Sequence, residues 1–193
     1  MTKTPNAVAI SDVRQIRALA SGTRQEIVDA LESAGPCSVR ELADLIGRPA
    51  DALYYHLKVL RRVGLVIDVQ VDEGTSEQMV DVVARPLFLH YAPKSRINRE
   101  NVSAVVTALT RSADRRFRRA FETRGVSVEG PARELWAGRC QGWVSDRDLA
   151  EVNALLANAV SILRNRQSPP SVGGRRCELT FVFAPLGTTR RAR

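Results

Sequence analysis

Residues 38–66, SVRELADLIGRPADALYYHLKVLRRVGLV, decide how the chain is read. Ser38 followed by Glu41 is a capping-box pair, a hydroxyl and a carboxylate at the spacing that satisfies the first free N–H groups of a helix. Val39, Leu42, Ala43 and Ile46 then recur at three and four residues as one apolar face, and Gly47 supplies the stop. Pro49 suits the first turn of a second helix, where its missing N–H has no partner to lose. In that helix Leu53, Leu57 and Leu60 make a buried stripe, and Gly64 stands where a left-handed residue ends it. The opposite face carries Asp51, Ala52, Tyr54, Tyr55, Lys58, Arg61 and Arg62.

Working upstream, residues 12–19 and 23–31 carry Val13, Ile16 and Leu19, then Ile27, Val28 and Leu31, at helical spacing. Ser21 and Gly22 separate the two, Thr23 with Glu26 reads as a second capping box, and Gly35-Pro36 ends the helix. The first eight or so residues are expected to fray. Downstream, residues 65–71 and 78–83 are β-type runs joined by the polar turn Asp72-Glu73-Gly74-Thr75. Four helices and a hairpin in this order make a helix-turn-helix with a wing.

Residues 86–99 read as a linker with a turn at Pro93-Lys94-Ser95. Residues 100–124 place Val102, Val105, Val106, Leu109, Ala113, Phe117 and Phe121 on one stripe, to pack in the chain's own core or against a second copy. Residues 135–144 read as a strand containing Gly138 and Gly142. Ser145 and Asp148 open a helix to about residue 166, with Leu149, Val152, Leu155, Leu156, Val160 and Leu163 inward. A turn over 168–174 leads to a last strand at 177–184 and a polar tail. The expected class is α+β: an N-terminal winged helix-turn-helix over 10–90, then 97–186 with a long helix and a small strand–helix–strand module, with tails at 1–9 and 187–193. Trp136, Trp143, Phe181 and Phe183 would form that module's core or line a small apolar pocket.

Composition narrows the classes. The 193 residues are 44% hydrophobic and 26% charged, as in a globular protein. No apolar run is long enough to span a membrane, and the N-terminal residues lack the basic-then-apolar order of a secretory signal. Three scattered cysteines (Cys37, Cys140, Cys177) fit a reducing compartment, so a cytoplasmic location is expected. The net charge of +8 lies entirely beyond residue 97, where 17 basic side chains face 9 acidic ones. Such an excess draws anionic partners or simply keeps a surface solvated. With two histidines, no phosphate-cradling glycine loop, no HExxH and no nucleophile elbow, the chain offers no catalytic constellation, and an enzyme is not expected.

The segments ALASGTRQEIVDAL at 18–31 and YYHLKVLRRVGLV at 54–66 resemble the ArsR-type winged helix-turn-helix regulators of prokaryotes, over roughly residues 10–90. The resemblance implies a homodimer that binds double-stranded DNA and represses or tunes transcription by occupying a promoter. A helix fits the major groove, so Tyr54 and Tyr55 would meet base edges and thymine methyls, with Asp51 and Ala52 beside them. Lys58, Arg61 and Arg62 would neutralise phosphates, with Arg48, Ser38 and Arg40 adding contacts from the preceding helix. Asp51 and the acidic wing tip oppose phosphate, which implies a reduced role for the wing.

The metal sensing for which the family is known needs clustered ligands. Residues 39–46 hold no cysteine, Cys37 stands alone, His56 falls in the recognition helix and His90 has no ligand neighbour, so neither metal nor cofactor is expected. Cys140 and Cys177 form a redox pair only if their strands pair; otherwise each is a small buried hydrophobe. Dimerisation is expected through the first helix together with residues 100–124, and Arg111, Arg115, Arg118 and Arg119 are a solvated face or an auxiliary phosphate contact. The effector, if one exists, is an unidentified small molecule. The competing reading is a winged helix that contacts protein and no DNA.

Overall fold

The computed structural model describes residues 8–70, 78–164 and 175–187. The chain opens with strand β1 (Val8–Ile10) and helix α1 (Val13–Ala18), whose N-cap Asp12 accepts from the Arg14 N–H at 2.7 Å. Helix α2 (Gly22–Ala34) follows, ending at Gly35 with φ of 85°. Strand β2 (Cys37–Ser38) leads into α3 (Val39–Ile46) and α4 (Ala50–Arg62). Strands β3 (Val66–Val69) and β4 (Met79–Val82) come next, then β5 (Leu87–Leu89), the long helix α5 (Arg96–Phe121) and α6 (Asp146–Arg164).

Local chemistry accounts for these boundaries. The Ser38–Glu41 capping box forms in both directions: Ser38 Oγ accepts from the Glu41 N–H, and the Ser38 N–H donates to Glu41 Oε2 at 2.8 Å. Gly47 ends α3 at φ 71° and Gly64 follows α4 at φ 73°, a left-handed conformation costly for any other residue. The Thr23–Glu26 box does not form. The helix begins one residue earlier, with Ser21 as N-cap, so Glu26 lies beyond the first turn and its carboxylate is used elsewhere. Pro49 stands at the N-cap itself, one position before the first turn.

The three-stranded sheet has the order β2-β4-β3, all antiparallel, with Cys37 opposite Val80 and Val66 opposite Val82. The strands of the expected hairpin are shorter than 65–71 and 78–83, and the turn over 72–75 lies outside the described residues. One core joins helices and sheet: Ile16, Ile27, Leu31, Leu42, Leu53, Leu57, Leu60, Leu65, Val66 and Val80 are each essentially fully buried. The core continues into α5 through Val102 and Val105, which pack with Ile16, Leu19 and Val28 in the same cluster.

Residues 86–99 are more than a linker. Leu87–Leu89 pairs in parallel with Val8–Ile10, so the N-terminal segment from Val8 onward is structured. Two apolar runs of three residues are too short to announce themselves as strands, and only distant pairing fixes them. The Leu87 N–H donates to Glu32 Oε1 at 2.6 Å, and Asn98 receives the Ala92 N–H at 2.8 Å while donating to the His90 carbonyl at 3.1 Å. Helix α5 therefore starts at Arg96, with Ser95 as its N-cap.

The C-terminal part departs furthest from expectation. Helix α6 is present and opens at Ser145, whose hydroxyl pairs with Asp148 at 2.7 Å. Residues 135–144 and 177–184, expected as strands, carry no strand assignment. A strand needs a ladder of backbone partners, which neither segment finds among the described residues, and Gly138 and Gly142 remove side chains that would pack. Trp136, Trp143, Phe181 and Phe183 are exposed, Trp143 at 93%, so they form neither a core nor an apolar pocket. The depression nearby, of roughly 570 Å³, is open and lined by Ser127, Ala132, Arg133, Glu134, Arg175 and Cys177. No residue of α6 is buried. No described helix is long and apolar enough to cross a membrane.

The leucine stripe of α4 carries the N-terminal core, with Leu57 fully buried. Leu57→Ala is expected to lower the unfolding free energy by about 2–5 kcal/mol, through lost transfer energy and an unfilled cavity. Urea denaturation of wild type and variant, followed by far-ultraviolet circular dichroism, measures the difference.

Candidate nucleic-acid interface

Helices α3 and α4 meet through a three-residue turn, Gly47-Arg48-Pro49. The Gly47 and Arg48 N–H groups both donate to the Ala43 carbonyl, at 2.9 and 3.1 Å, which closes the end of α3 and sets the exit direction. At 100° per residue, Leu53, Leu57 and Leu60 bury one side of α4, leaving Asp51, Ala52, Tyr54, Tyr55, Lys58 and Arg62 on an exposed arc. Tyr54 and Tyr55 are 55% and 67% exposed, an unusual display for two adjacent rings without a neighbouring element to cover them. Asp51 in the first turn and Arg61 and Arg62 in the last complement the helix dipole, which gives those three charges a structural reason as well.

Three supports hold α4 in place. Gln15 on α1 donates to the Val63 carbonyl at 3.0 Å, satisfying the C-terminal end. Arg61 donates Nε and Nη2 to Asp68 Oδ1 on β3, at 2.9 and 2.6 Å, tying the helix to the wing. Arg48, in the turn, donates Nε to Glu26 Oε2 at 2.9 Å, with Nη2 also at 2.9 Å. The Glu26 carboxylate is buried on α2, and its other oxygen accepts from Ser112 Oγ on α5 at 3.0 Å, with Arg116 Nη2 at 3.7 Å. A buried carboxylate is tolerable only when hydrogen-bonded and paired in this way.

The residues expected to meet DNA therefore divide. Arg40, Asp51, Ala52, Tyr54, Tyr55, Lys58 and Arg62 are exposed, with Arg40 on the first turn of α3. Ser38 is 3% exposed and its hydroxyl is spent on the capping box, so it offers nothing to a phosphate. Arg48 and Arg61 are half-buried and committed to Glu26 and Asp68; they position α4. Sequence reading missed Glu26, Ser112 and Arg116 as a supporting set, because their partners lie up to 86 positions away. The available signal was two polar residues, Gln25 and Glu26, set directly against the apolar stripe of α2. Arg176 was also missed: it donates to the Leu45 carbonyl at 2.5 Å, from the far end of the chain to the last turn of α3.

His56 is half-buried, and burial together with the nearby Arg24 and Arg48 cations holds its pKa below the usual imidazole value. It stays neutral at pH 7, a packed side chain of α4. Burial, with Glu41 and Asp81 adding negative charge, pushes the Cys37 thiol up to about 11, which keeps it protonated and unreactive. Among the described residues no three His, Cys, Asp or Glu side chains are grouped to hold a metal ion. Cys140 and Cys177 are exposed free thiols on unpaired segments, neither buried hydrophobes nor a strand-paired couple.

A capped helix, a tight glycine turn, a second helix with an exposed polar face and an antiparallel sheet behind it give the N-terminal part a winged helix-turn-helix arrangement, a framework whose second helix suits the major groove of DNA. Consistent with this, residues 19–69 match the model of a helix-turn-helix domain. Among solved structures the chain is similar to the crystal structure of NadR in complex with 4-hydroxyphenylacetate, at 15% identity and a TM-score of 0.30, over 78% of this chain and 82% of that one. Comparison with curated protein sequences gave no match.

Glu26→Gln keeps the hydrogen-bonding shape and removes the charge that Arg48 and Arg116 face. It is expected to lower stability by about 1–3 kcal/mol, as for other hydrogen bonds to charged groups. Denaturant titration of the variant measures this, and an unchanged midpoint would show that the carboxylate contributes nothing.

Proposed function

We propose that the chain is an ArsR-like, sequence-specific reader of double-stranded DNA that acts as a homodimeric transcriptional repressor. The observation that carries this reading is the exposed arc of α4, where two bare tyrosines, a lysine and an arginine project from a helix braced on three sides. Seated in the major groove, Tyr54 and Tyr55 present hydroxyls and ring edges to bases near the helix start. Lys58 and Arg62, one and two turns further on, neutralise backbone phosphates, and Arg40 adds a contact from α3. Asp51 and Ala52 sit closest to the base edges at the entry, where the carboxylate selects against phosphate and accepts from base amino groups. Residues 10–90 supply the reading head, and residues 97–186 supply self-association and any response to a small-molecule effector.

Two copies reading two half-sites multiply both affinity and specificity, the reason for a dimeric repressor. A repressor needs no further activity than occupancy of its operator. The alternative, a winged helix that docks on protein alone, lacks an apolar contact face on α4, whose exposed arc is polar apart from the tyrosine rings and Ala52.

Lys58 and Tyr55 separate the two kinds of contact, and both are exposed, so their removal leaves the core intact. Lys58→Ala is expected to weaken binding to all duplexes alike and to reduce the salt slope by about one. Tyr55→Ala is expected to reduce the preference for a selected duplex over a scrambled one. Fluorescence anisotropy across a salt series reads both, and binding curves matching wild type for both variants would remove α4 from the interface.

A further inference from the structure

Helix α5 carries seven arginines against two acids, Glu100 and Asp114, a surplus of five in a chain whose net charge is +8. Some of these cations are answered within the chain. Arg116 faces Glu26 and Glu178, Arg118 donates to Asp114 at 3.1 Å, and Arg96 lies 3.8 Å from Glu100. Arg111, Arg115 and Arg119 are exposed and, among the described residues, have no carboxylate partner. Spaced four residues apart, they form one row on the helix surface. At 100° per residue this row runs along one flank of the buried positions Val102, Val105 and Ser112, while Leu109, Ala113 and Phe117 lie on the other flank.

The row meets the start of α2. Arg115 Nη2 lies so near Gly22 that a Cβ there would stand 3.4 Å from it. Arg24, in the first turn of α2, is half-buried, donates Nε to the Ala18 carbonyl and has no carboxylate partner among the described residues. Burial pushes its pKa down, and Tyr55 of α4, within electrostatic reach, opposes that shift. Arg24 is also one of the two cations that depress His56, so it stands between the start of α2 and α4. The first turn of α2 holds no acid and its N-cap Ser21 makes no side-chain hydrogen bond, so the helix dipole adds to the positive field of these arginines.

From this placement we infer that Arg24, Arg111, Arg115 and Arg119 form a basic shelf continuous with α4, and that its occupant is the sugar-phosphate backbone of the duplex that α4 reads. The inference rests on the DNA-reading function and adds a contact outside the helix-turn-helix itself. Continuity and charge together select this occupant. The shelf begins beside Tyr55, 67% exposed on the arc of α4, and passes over Arg24 to Arg115. The row on α5 is about 12 Å long, and a duplex carries one negative charge per roughly 1.7 Å of its axis, so several phosphates fall within that length. Arginines four residues apart repel one another, and a phosphate between them removes the repulsion while accepting from their planar forks. Phosphates carry no sequence information, so the shelf supplies affinity and orientation and leaves base preference to α4.

Fluorescence anisotropy of the full chain on a duplex of about 30 base pairs, near three helical turns, tests the shelf across a salt series. Arg115→Gln and Arg96→Gln remove the same charge from the same helix, about 28 Å apart along its axis. Both positions are exposed, so both variants should keep the wild-type circular dichroism spectrum. Arg115→Gln is expected to lower the salt slope by about 0.9 and to weaken binding severalfold, while Arg96→Gln matches wild type. Arg111→Gln combined with Arg115→Gln should lose about twice that slope, with the ratio of affinities for selected and scrambled duplexes unchanged. Equal losses in Arg115→Gln and Arg96→Gln would show an effect of net charge alone and overturn the proposal. A slope lowered by Lys58→Ala but untouched in the double arginine variant overturns the shelf and leaves α4 as the reader. A wild type that binds no duplex at any salt removes both readings.

Discussion

The carboxylate of Glu26 is where three parts of the chain meet. It receives Arg48 from the turn between α3 and α4, and Ser112 with Arg116 from α5. Placing a charge in the interior costs several kcal/mol unless its partners hold a defined geometry. The position of the turn, the direction of α4 and the seat of α5 are therefore fixed together. Any shift of α5 along its axis moves Ser112 and Arg116 relative to the carboxylate, and Arg48 faces the same group from the other side. The exposed arc of α4 is thus the outer surface of an element whose inner surface is tied to the long helix. Arg116 extends the linkage to Glu178, so the C-terminal segment at 175–187 joins the same network.

Much of the N-terminal fold was legible because its signals are local. A capping box at Ser38 and Glu41, left-handed glycines at 47 and 64, and leucines at 53, 57 and 60 each speak for the few residues around them. The exposed arc of α4 follows from the same periodicity. Pairings over distance were not legible: β1 with β5, Glu26 with Ser112, and Arg61 with Asp68 leave no trace in spacing. Arg48 and Arg61 looked like phosphate contacts because an arginine on a polar face looks the same whether it meets solvent, nucleic acid or a carboxylate from another element. Thr23 and Glu26 had the right spacing for a cap, but a carboxylate that can neutralise Arg48 in the core gains more there than at an exposed helix end.

The C-terminal half failed for a different reason. Alternating and aromatic patterns at 135–144 and 177–184 report a preference for pairing and burial, and a preference needs a partner before it becomes a strand. The amphipathic pattern of α6 was read correctly as a helix, and of its expected inward face Leu149, Val152, Leu156 and Val160 are half-buried while Leu155 and Leu163 are exposed. The two parts thus differ in surface: α4 presents a polar arc, and the C-terminal segments present aromatic and aliphatic side chains that water disfavours.

Selection of bound duplexes from a random DNA library by the purified full chain, at two salt concentrations, tests the central claim most directly. The account predicts enrichment of an inverted repeat, with half-site centres about one helical turn apart and weaker recovery at the higher salt. No enriched sequence at either salt would contradict it and leave the exposed arc of α4 without a role in reading DNA.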